Sequence, residues 1–93
     1  MSLKAKIITK FRMRRTSYVA AAVDQSGKVV NMVAEKITPE MKVNSYVALV
    51  NYVTRTVDED VFIHLRHETK VNILCTCMFR LNRYTEYILW NFL

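Results

Sequence analysis

The sequence contains few of the residues that interrupt helices and strands or form disulfide bonds. It has one glycine and one proline in 93 residues, which argues against long irregular loops. Its two cysteines, Cys75 and Cys77, are too few for a disulfide framework, so a reducing, intracellular setting is expected. No run of about 18 apolar residues predicts a transmembrane helix, and residues 1–15 lack the apolar segment of a secretory signal peptide. We therefore expect a cytoplasmic protein that does not bind a membrane.

The bulk composition predicts one folded domain over residues 1–93. Hydrophobic residues make up 52% of the chain and charged residues 24%, which excludes wholesale disorder. The formal net charge is +6, from 14 Lys and Arg against 8 Asp and Glu. A basic balance favours anionic partners such as nucleic acid or an acidic protein surface, although it also serves solubility alone.

The first half of the chain predicts three strands. Leu3–Met13 alternates apolar and basic residues at a period of two, which indicates a strand. Ser17–Val23 and Val29–Ile37 are the second and third strands. Between them, Asp24–Lys28 contains the only glycine and is the strongest turn signal in the sequence, so residues 17–37 are expected to form a hairpin.

The second half predicts two helices around a short strand. Thr38–Val57 has a capping threonine, a proline at the first helical position and valines at helical spacing. Val61–Leu65 is almost continuously apolar, as in a buried strand. From Lys70 to the end the apolar residues again follow a helical pattern. The predicted order is β-β-β-α-β-α, an α/β (α+β) fold in which a small mixed sheet has three antiparallel strands and a fourth strand.

This order resembles the ribonuclease H-like superfamily over about residues 5–75. The segments KIITKF, VAAAVDQSGKVV, VNSYVALVNYV and VFIHLRHETKVN are similar to its three opening strands, its first helix and its fourth strand. The resemblance implies carboxylates that bind magnesium, but their positions fall at Lys10, Ser45 and Arg66. None of these suits a hard divalent cation. We therefore expect a shortened, catalytically inactive relative, with no cofactor and no metal.

The sequence also contains residues of the types found in zinc sites and in nucleophilic catalysis. Residues of zinc-ligand type occur at His64, His67, Cys75 and Cys77, but their spacing is unlike that of common zinc sites. We favour the interpretation that the two cysteines are small apolar groups that pack in the core. The same thiols with His67 and Glu68 could suggest a nucleophile, yet an apolar helix would raise the thiol pKa. The sequence therefore favours a protein that is not an enzyme, and a metal-dependent nuclease ranks last.

A dense basic set lies on the first predicted strand and the turn after it, and Tyr18 follows as a possible stacking platform for a base. Lys and Arg on the exposed face of a strand can follow a phosphate backbone. Lysines also protect an edge strand from aggregation, which is the alternative interpretation. Arg80 and Arg83 extend the patch if they share its face. The candidate nucleic-acid-binding residues are Lys4, Lys6, Lys10, Arg12, Arg14, Arg15 and Tyr18.

The last predicted helix is the second candidate surface, because aromatic residues dominate interface energetics. The alternative is that these side chains complete the core. A two-fold dimer is expected, either through this helix or through Val61–Leu65 as an open sheet edge. The candidate interface residues are Tyr84, Tyr87, Ile88, Trp90 and Phe92.

Together these patterns predict a small basic binding protein that engages nucleic acid through its first strand and the Arg14–Arg15 turn. The alternative is a protein-interaction module or inhibitor that acts through the C-terminal aromatic helix. Its composition would suit an accessory protein of a phage or mobile element.

Overall fold

The computed structural model describes residues 2–77 and 81–93. Within them, eight strands form one mixed sheet and a short helix follows. The elements are β1 (Ser2–Ile7), β2 (Arg12–Arg14), β3 (Ser17–Asp24), β4 (Val29–Ala34), β5 (Ser45–Val50), β6 (Val53–Val57), β7 (Asp60–Leu65), β8 (Lys70–Thr76) and α1 (Arg83–Phe92). The order across the sheet is β6-β7-β4-β3-β1-β5-β8, with β2 also paired to β3. Among the strands of the described residues, only β4 and β7 pair in parallel.

The predicted hairpin is confirmed. β3 and β4 pair antiparallel from Tyr18 opposite Ala34 to Val23 opposite Val29. In the turn, the Asp24 carboxylate accepts hydrogen bonds from two backbone N–H groups, at 2.9 and 3.0 Å. Gly27 has a φ of 87°, a left-handed conformation that costs glycine little.

The predicted β-β-β-α-β-α order and its ribonuclease H-like fold are wrong. Residues 45–50 and 53–57, placed in the first predicted helix, form β5 and β6. This stretch is rich in Val, Thr and Tyr, which pack well on a pleated sheet and lose side-chain freedom in a helix. Asn51, with a φ of 62°, turns the chain between the two strands. Ser45, Tyr46 and Val47 are buried in succession, so both faces of β5 are covered.

The second predicted helix is also largely wrong. Residues 70–76 form β8, which pairs with β5, and Arg83–Phe92 is the only helical part of this stretch among the described residues. Residues 78–80, including Arg80, lie outside the described residues. The helix begins where the Asn82 side chain accepts a hydrogen bond from the Thr85 N–H at 2.8 Å, an ordinary N-cap.

The predicted strand at Val61–Leu65 exists as β7, but it is not an open edge. It pairs with β4 on one side and with β6 on the other. A dimer through that edge is therefore excluded by the fold. The predicted first strand is divided as well: β1 ends at Ile7, and β2 begins at Arg12.

The sheet must curl, because the connection between β7 and β8 is short. Flat, the two strands would stand five spacings apart, about 24 Å. The chain from Leu65 to Lys70 makes five Cα steps, which reach about 18 Å at most. The sheet therefore bends so that its two ends approach each other and one face becomes concave.

The concave face holds the core. Four of its buried residues are alanines, since the inside of a tightly curled sheet leaves little room where β1, β3 and β4 run side by side. Met41, on the connection from β4 to β5, lies across the concave face and is 7% exposed. The core cluster is Ala5, Ile7, Ala20, Ala22, Val30, Met32, Ala34, Met41, Val47, Leu49, Ile63 and Leu65.

Candidate nucleic-acid interface

A basic groove lies on the sheet beside β3, in the gap between β1 and β2. The chain leaves β1, and the N–H groups of Ile8 and Thr9 both donate to the Ala21 carbonyl, at 2.9 and 3.4 Å. The Thr9 hydroxyl accepts a hydrogen bond from the Ala21 N–H at 2.8 Å, in place of a strand partner. These bonds satisfy the backbone where the strand pairing is interrupted, and they fix the edge of the groove.

The basic groove has a volume of about 570 Å³ and is lined by Lys10, Arg12 and Arg14. Among the residues that the structure describes, no carboxylate lines it, and none of the three cations forms an ion pair there. The remaining lining is apolar or hydroxyl-bearing: Ile8, Thr9, Val19, Ala20, Ala21 and Val43. Such a groove attracts an anion without a competing internal partner.

The strand register sets which side chains face this groove. Arg12 stands opposite Val19 and Arg14 opposite Ser17, so both arginines lie on the convex, outer face of the sheet. Tyr18 stands opposite Met13 and Ala34, and Ala34 belongs to the core, so Tyr18 lies on the other face. The structure therefore separates Tyr18 from the arginines with which the sequence grouped it. Arg15 is exposed in the turn between β2 and β3, with a φ of 57°.

From Arg12, a row of paired residues crosses five strands of the outer face. It begins at the basic groove and ends on β6, and its spacing of about 4.8 Å per strand gives a length of about 19 Å. The row is Arg12, Val19, Val33, His64 and Val53.

A second row runs beside the first and brings an aromatic ring between two polar residues. Phe62 lies in it, half-buried, and Arg55 lies at its β6 end. The row is Ala21, Asn31, Phe62 and Arg55. We call these two rows, on β2, β3, β4, β7 and β6, the open half of the outer face.

His64 is a titratable group on the open half, on β7 between β4 and β6. Its partial burial lowers its pKa, and the positive charges of Arg55 and Arg66 lower it further. The protonated form is therefore disfavoured until a negative charge approaches. A phosphate group would supply that charge.

The covered half of the outer face, formed by β1, β5 and β8, lies under α1. Lys4 donates a hydrogen bond to the Leu93 carbonyl, and Lys6 forms a salt bridge with Glu86 at 3.5 Å. These two lysines belong to the sequence-predicted binding set, but α1 engages both. The structure thus brings Lys10, Arg12 and Arg14 together and leaves Lys4 and Lys6 apart from them.

An aromatic contact holds α1 on the covered half. Trp90 meets Tyr46 edge to face, with ring centroids 4.9 Å apart. Lys6 Nζ lies 5.5 Å from the centroid of the same tyrosine ring. Burial raises the pKa of Tyr46, and the nearby Glu86, Cys77 and Cys75 raise it further. The Tyr46 hydroxyl is buried and makes no hydrogen bond of good geometry within the described residues, although the Glu86 carboxylate lies close enough to raise its pKa.

The opposite side of α1 is exposed. Tyr84 is 74%, Tyr87 67% and Phe92 84% exposed, and Ile88 lies among them at helical spacing. We call these four residues the outer stripe. Trp90, predicted as part of the same interface, faces the sheet instead.

The candidate zinc and nucleophile residues are His64, His67, Glu68, Cys75 and Cys77. Within residues 2–77 and 81–93, no group of three or more His, Cys, Asp or Glu side chains is placed to hold a metal ion. Burial raises the pKa of Cys75, and the neighbouring Cys77 raises it further, so the Cys75 thiolate is disfavoured.

Sequence reasoning does not find Phe62, His64 and Arg55 as parts of the candidate interface. The predicted helix Thr38–Val57 contains Arg55, which would then share no face with the other two. The signal was the alternation in Val53–Val57 and Asp60–Leu65, which puts Arg55, Phe62 and His64 on one face once both segments are strands.

Within the described residues, no helix has both the length and the apolar character needed to span a membrane. No family model, curated protein or solved structure matches the chain.

Proposed function

We propose that the protein binds nucleic acid without catalysing a reaction. The phosphate backbone lies in the basic groove, and the bases lie over Phe62 and His64 of the open half. The observation that supports this most directly is a groove lined by three cations with no carboxylate among the described residues. Positive charge that no protein group neutralises releases counterions when it meets phosphate, which drives binding.

The open half supports the same function by its surface chemistry. Flat, half-buried apolar and aromatic groups beside arginines suit stacked bases, because every base offers a π-face. We also propose that the protein acts inside the cell, which is the setting expected from its sequence.

The test is fluorescence anisotropy with labelled single- and double-stranded DNA and RNA at low and physiological salt. We expect micromolar or tighter binding that weakens steeply with salt. In the variant Arg12→Gln/Arg14→Gln, affinity at physiological salt should fall about tenfold or more, and the log–log salt slope should shrink by about 1 for each lost phosphate contact.

The matched control is Lys28→Gln/Lys70→Gln, which removes the same two charges from exposed positions outside the basic groove. It should change the affinity much less than the arginine variant does. Equal effects of the two variants would show that net charge alone attracts the nucleic acid. Absence of binding at low salt would refute the proposal.

A second candidate function is protein recognition through the outer stripe, including pairing with a second copy of the chain. The exposure of three aromatic rings on one side of α1 favours it, because contiguous exposed apolar surface marks interaction sites. Sedimentation at micromolar concentration tests the dimer. The variant Tyr84→Ser/Phe92→Ser should convert a dimer to a monomer, and a monomeric unmodified protein would refute self-association.

A further inference from the structure

A second cavity lies at the seam where the two ends of the curled sheet approach each other. It has a volume of about 630 Å³, within the ~300–1,000 Å³ of small-molecule pockets. Its apolar floor comes from opposite ends of the sheet and from the connection across the core: Leu65 on β7, Val71 and Ile73 on β8, and Met41. We call it the seam pocket.

The polar rim of the seam pocket is balanced in charge. Lys36 and Arg66 contribute two positive charges, and Glu35 and Glu40 contribute two negative charges. Such a rim holds no net attraction for a phosphate group, unlike the basic groove. It suits a neutral group that has an apolar body and hydrogen-bonding edges.

Part of the rim is fixed by internal hydrogen bonds. The Thr69 hydroxyl accepts a bond from the Arg66 N–H at 2.8 Å and donates to the Asn51 carbonyl at 2.6 Å. Glu40 is hydrogen-bonded by Thr38, which lowers the pKa of its carboxyl. The Glu35 carboxylate, in contrast, forms no hydrogen bond or ion pair within the described residues and can accept a donor from a ligand.

The seam pocket adjoins the open half. A smaller cavity of about 390 Å³ is lined by His64 and Val33 of the open half and by Ser17, which pairs with Arg14. It shares Glu35, Leu65, Arg66 and His67 with the seam pocket. A strand bound in the basic groove can therefore follow the outer face to Arg66 and turn one residue into the seam.

We propose that the seam pocket receives one unpaired nucleobase of a strand bound on the open half, an inference that rests on the proposed function. A base is neutral and flat, with apolar faces and a polar edge, which matches the apolar floor and balanced rim. The Glu35 carboxylate accepts from the exocyclic amino group that adenine, cytosine and guanine carry. Arg66 lies at the entrance, where it contacts the flanking phosphate.

This arrangement selects single strands over duplexes. A base inside a duplex must unpair and unstack before it can enter a pocket, whereas an unpaired base enters without that penalty. The protein therefore binds a single strand about tenfold more tightly than the fully paired duplex of the same sequence, the range expected for one seated base.

The experiment uses an oligonucleotide with 2-aminopurine at one position, as a single strand and as a matched duplex. On the single strand, emission should rise as the analogue leaves its stacked neighbours, and it should stay unchanged on the duplex. Val71→Trp fills the seam pocket from β8, and Thr38→Trp fills it from the exposed rim if the first variant does not fold. Either variant should remove the emission rise and lower single-strand affinity toward the duplex level, with duplex affinity unchanged.

The control for added bulk is Met13→Trp, because Met13 is 55% exposed and faces away from Arg12 and Arg14. It should leave both measurements unchanged. Equal affinity for single strand and duplex, or equal loss of both in a folded pocket variant, overturns the seam-pocket proposal. If Arg12→Gln/Arg14→Gln still weakens both, the proposed function stands. Absence of all binding overturns both proposals.

Discussion

The two halves of the outer face carry similar cations and use them differently. On the covered half, Lys4 and Lys6 are bonded to α1, through the Leu93 carbonyl and Glu86. On the open half, Arg12 and Arg14 line the basic groove without an acidic neighbour among the described residues. All four residues lie on the same face and within twelve positions of one another. Whether a cation is available for a ligand is therefore decided by what packs above it.

The halves differ in burial as well. Tyr46 on the covered half is completely buried by β5, its neighbours and Trp90. Phe62 and His64 on the open half are only half-buried, and no described element lies over them. The covered half therefore contributes more to stability, and the open half retains surface for a partner.

The largest expected effect is on stability. Tyr46→Ala should lower the free energy of unfolding by about 3–5 kcal/mol, because it empties a fully packed site. Phe62→Ala, on the open half, should cost less, about 1–2 kcal/mol, because its ring is only partly buried. Urea denaturation of both variants gives the comparison.

The control is Tyr46→Phe, which removes only the hydroxyl. Because that hydroxyl has no hydrogen-bond partner in the described part of the chain, its loss should be nearly neutral or slightly stabilising. If Phe62→Ala cost as much as Tyr46→Ala, the two halves would be equally packed and the comparison would fail.

The fold could be predicted from sequence where the signal is local. The hairpin of β3 and β4 depends on Asp24 and Gly27, whose side-chain bonds and backbone freedom act within five residues. The helix predicted over Thr38–Val57 is wrong because the spacing of the valines at positions 43, 47, 50 and 57 fits a helix as well as strands. The β-branched residues and Asn51 favour two strands and a turn in this segment. The strands are stabilised by pairing between β5 and β1 and between β6 and β7.

The candidate site could be predicted only in part. The sequence identified Lys10, Arg12 and Arg14 because they lie close together in the chain. It could not predict that Lys6 meets Glu86, 80 positions later, since no local pattern encodes that contact. The open half joins β2 to β6 through pairings between distant segments, and those pairings became visible only with the sheet.

A smaller effect should follow from loosening α1. Trp90→Ala removes the ring that contacts Tyr46, and we expect it to cost about 1–2 kcal/mol of stability, measured by urea denaturation. Released from Glu86 and the Leu93 carbonyl, Lys6 and Lys4 should join the binding surface. The salt slope for single strands should then steepen by about 0.7 for each lysine that meets a phosphate.

Phe92→Ala is the matched control for the loosened helix, because Phe92 lies on the same helix but is 84% exposed. It should change stability by less than about 0.5 kcal/mol and leave the salt slope unchanged. Equal behaviour of the two variants would mean that α1 does not shield the covered half.

The smallest expected effect is a pH dependence that belongs to the open half alone. Burial, Arg55 and Arg66 lower the pKa of His64 from its ordinary 6.5, and Glu35 and Glu68, which line the same cavity, do not reverse that shift. As the pH falls, the unfolded chain therefore binds a proton before the folded chain does. His64 thus makes stability fall as the pH drops below about 6.5 and through the lower pKa of the folded state.

A bound phosphate favours the imidazolium and raises the His64 pKa, so nucleic-acid affinity should increase as the pH falls through the same range. Histidine ring signals in an NMR titration, with and without a single strand, report both values. In His64→Gln this part of the pH dependence should vanish from stability and affinity alike, while an unchanged His64 pKa on binding would place the nucleic acid away from the open half.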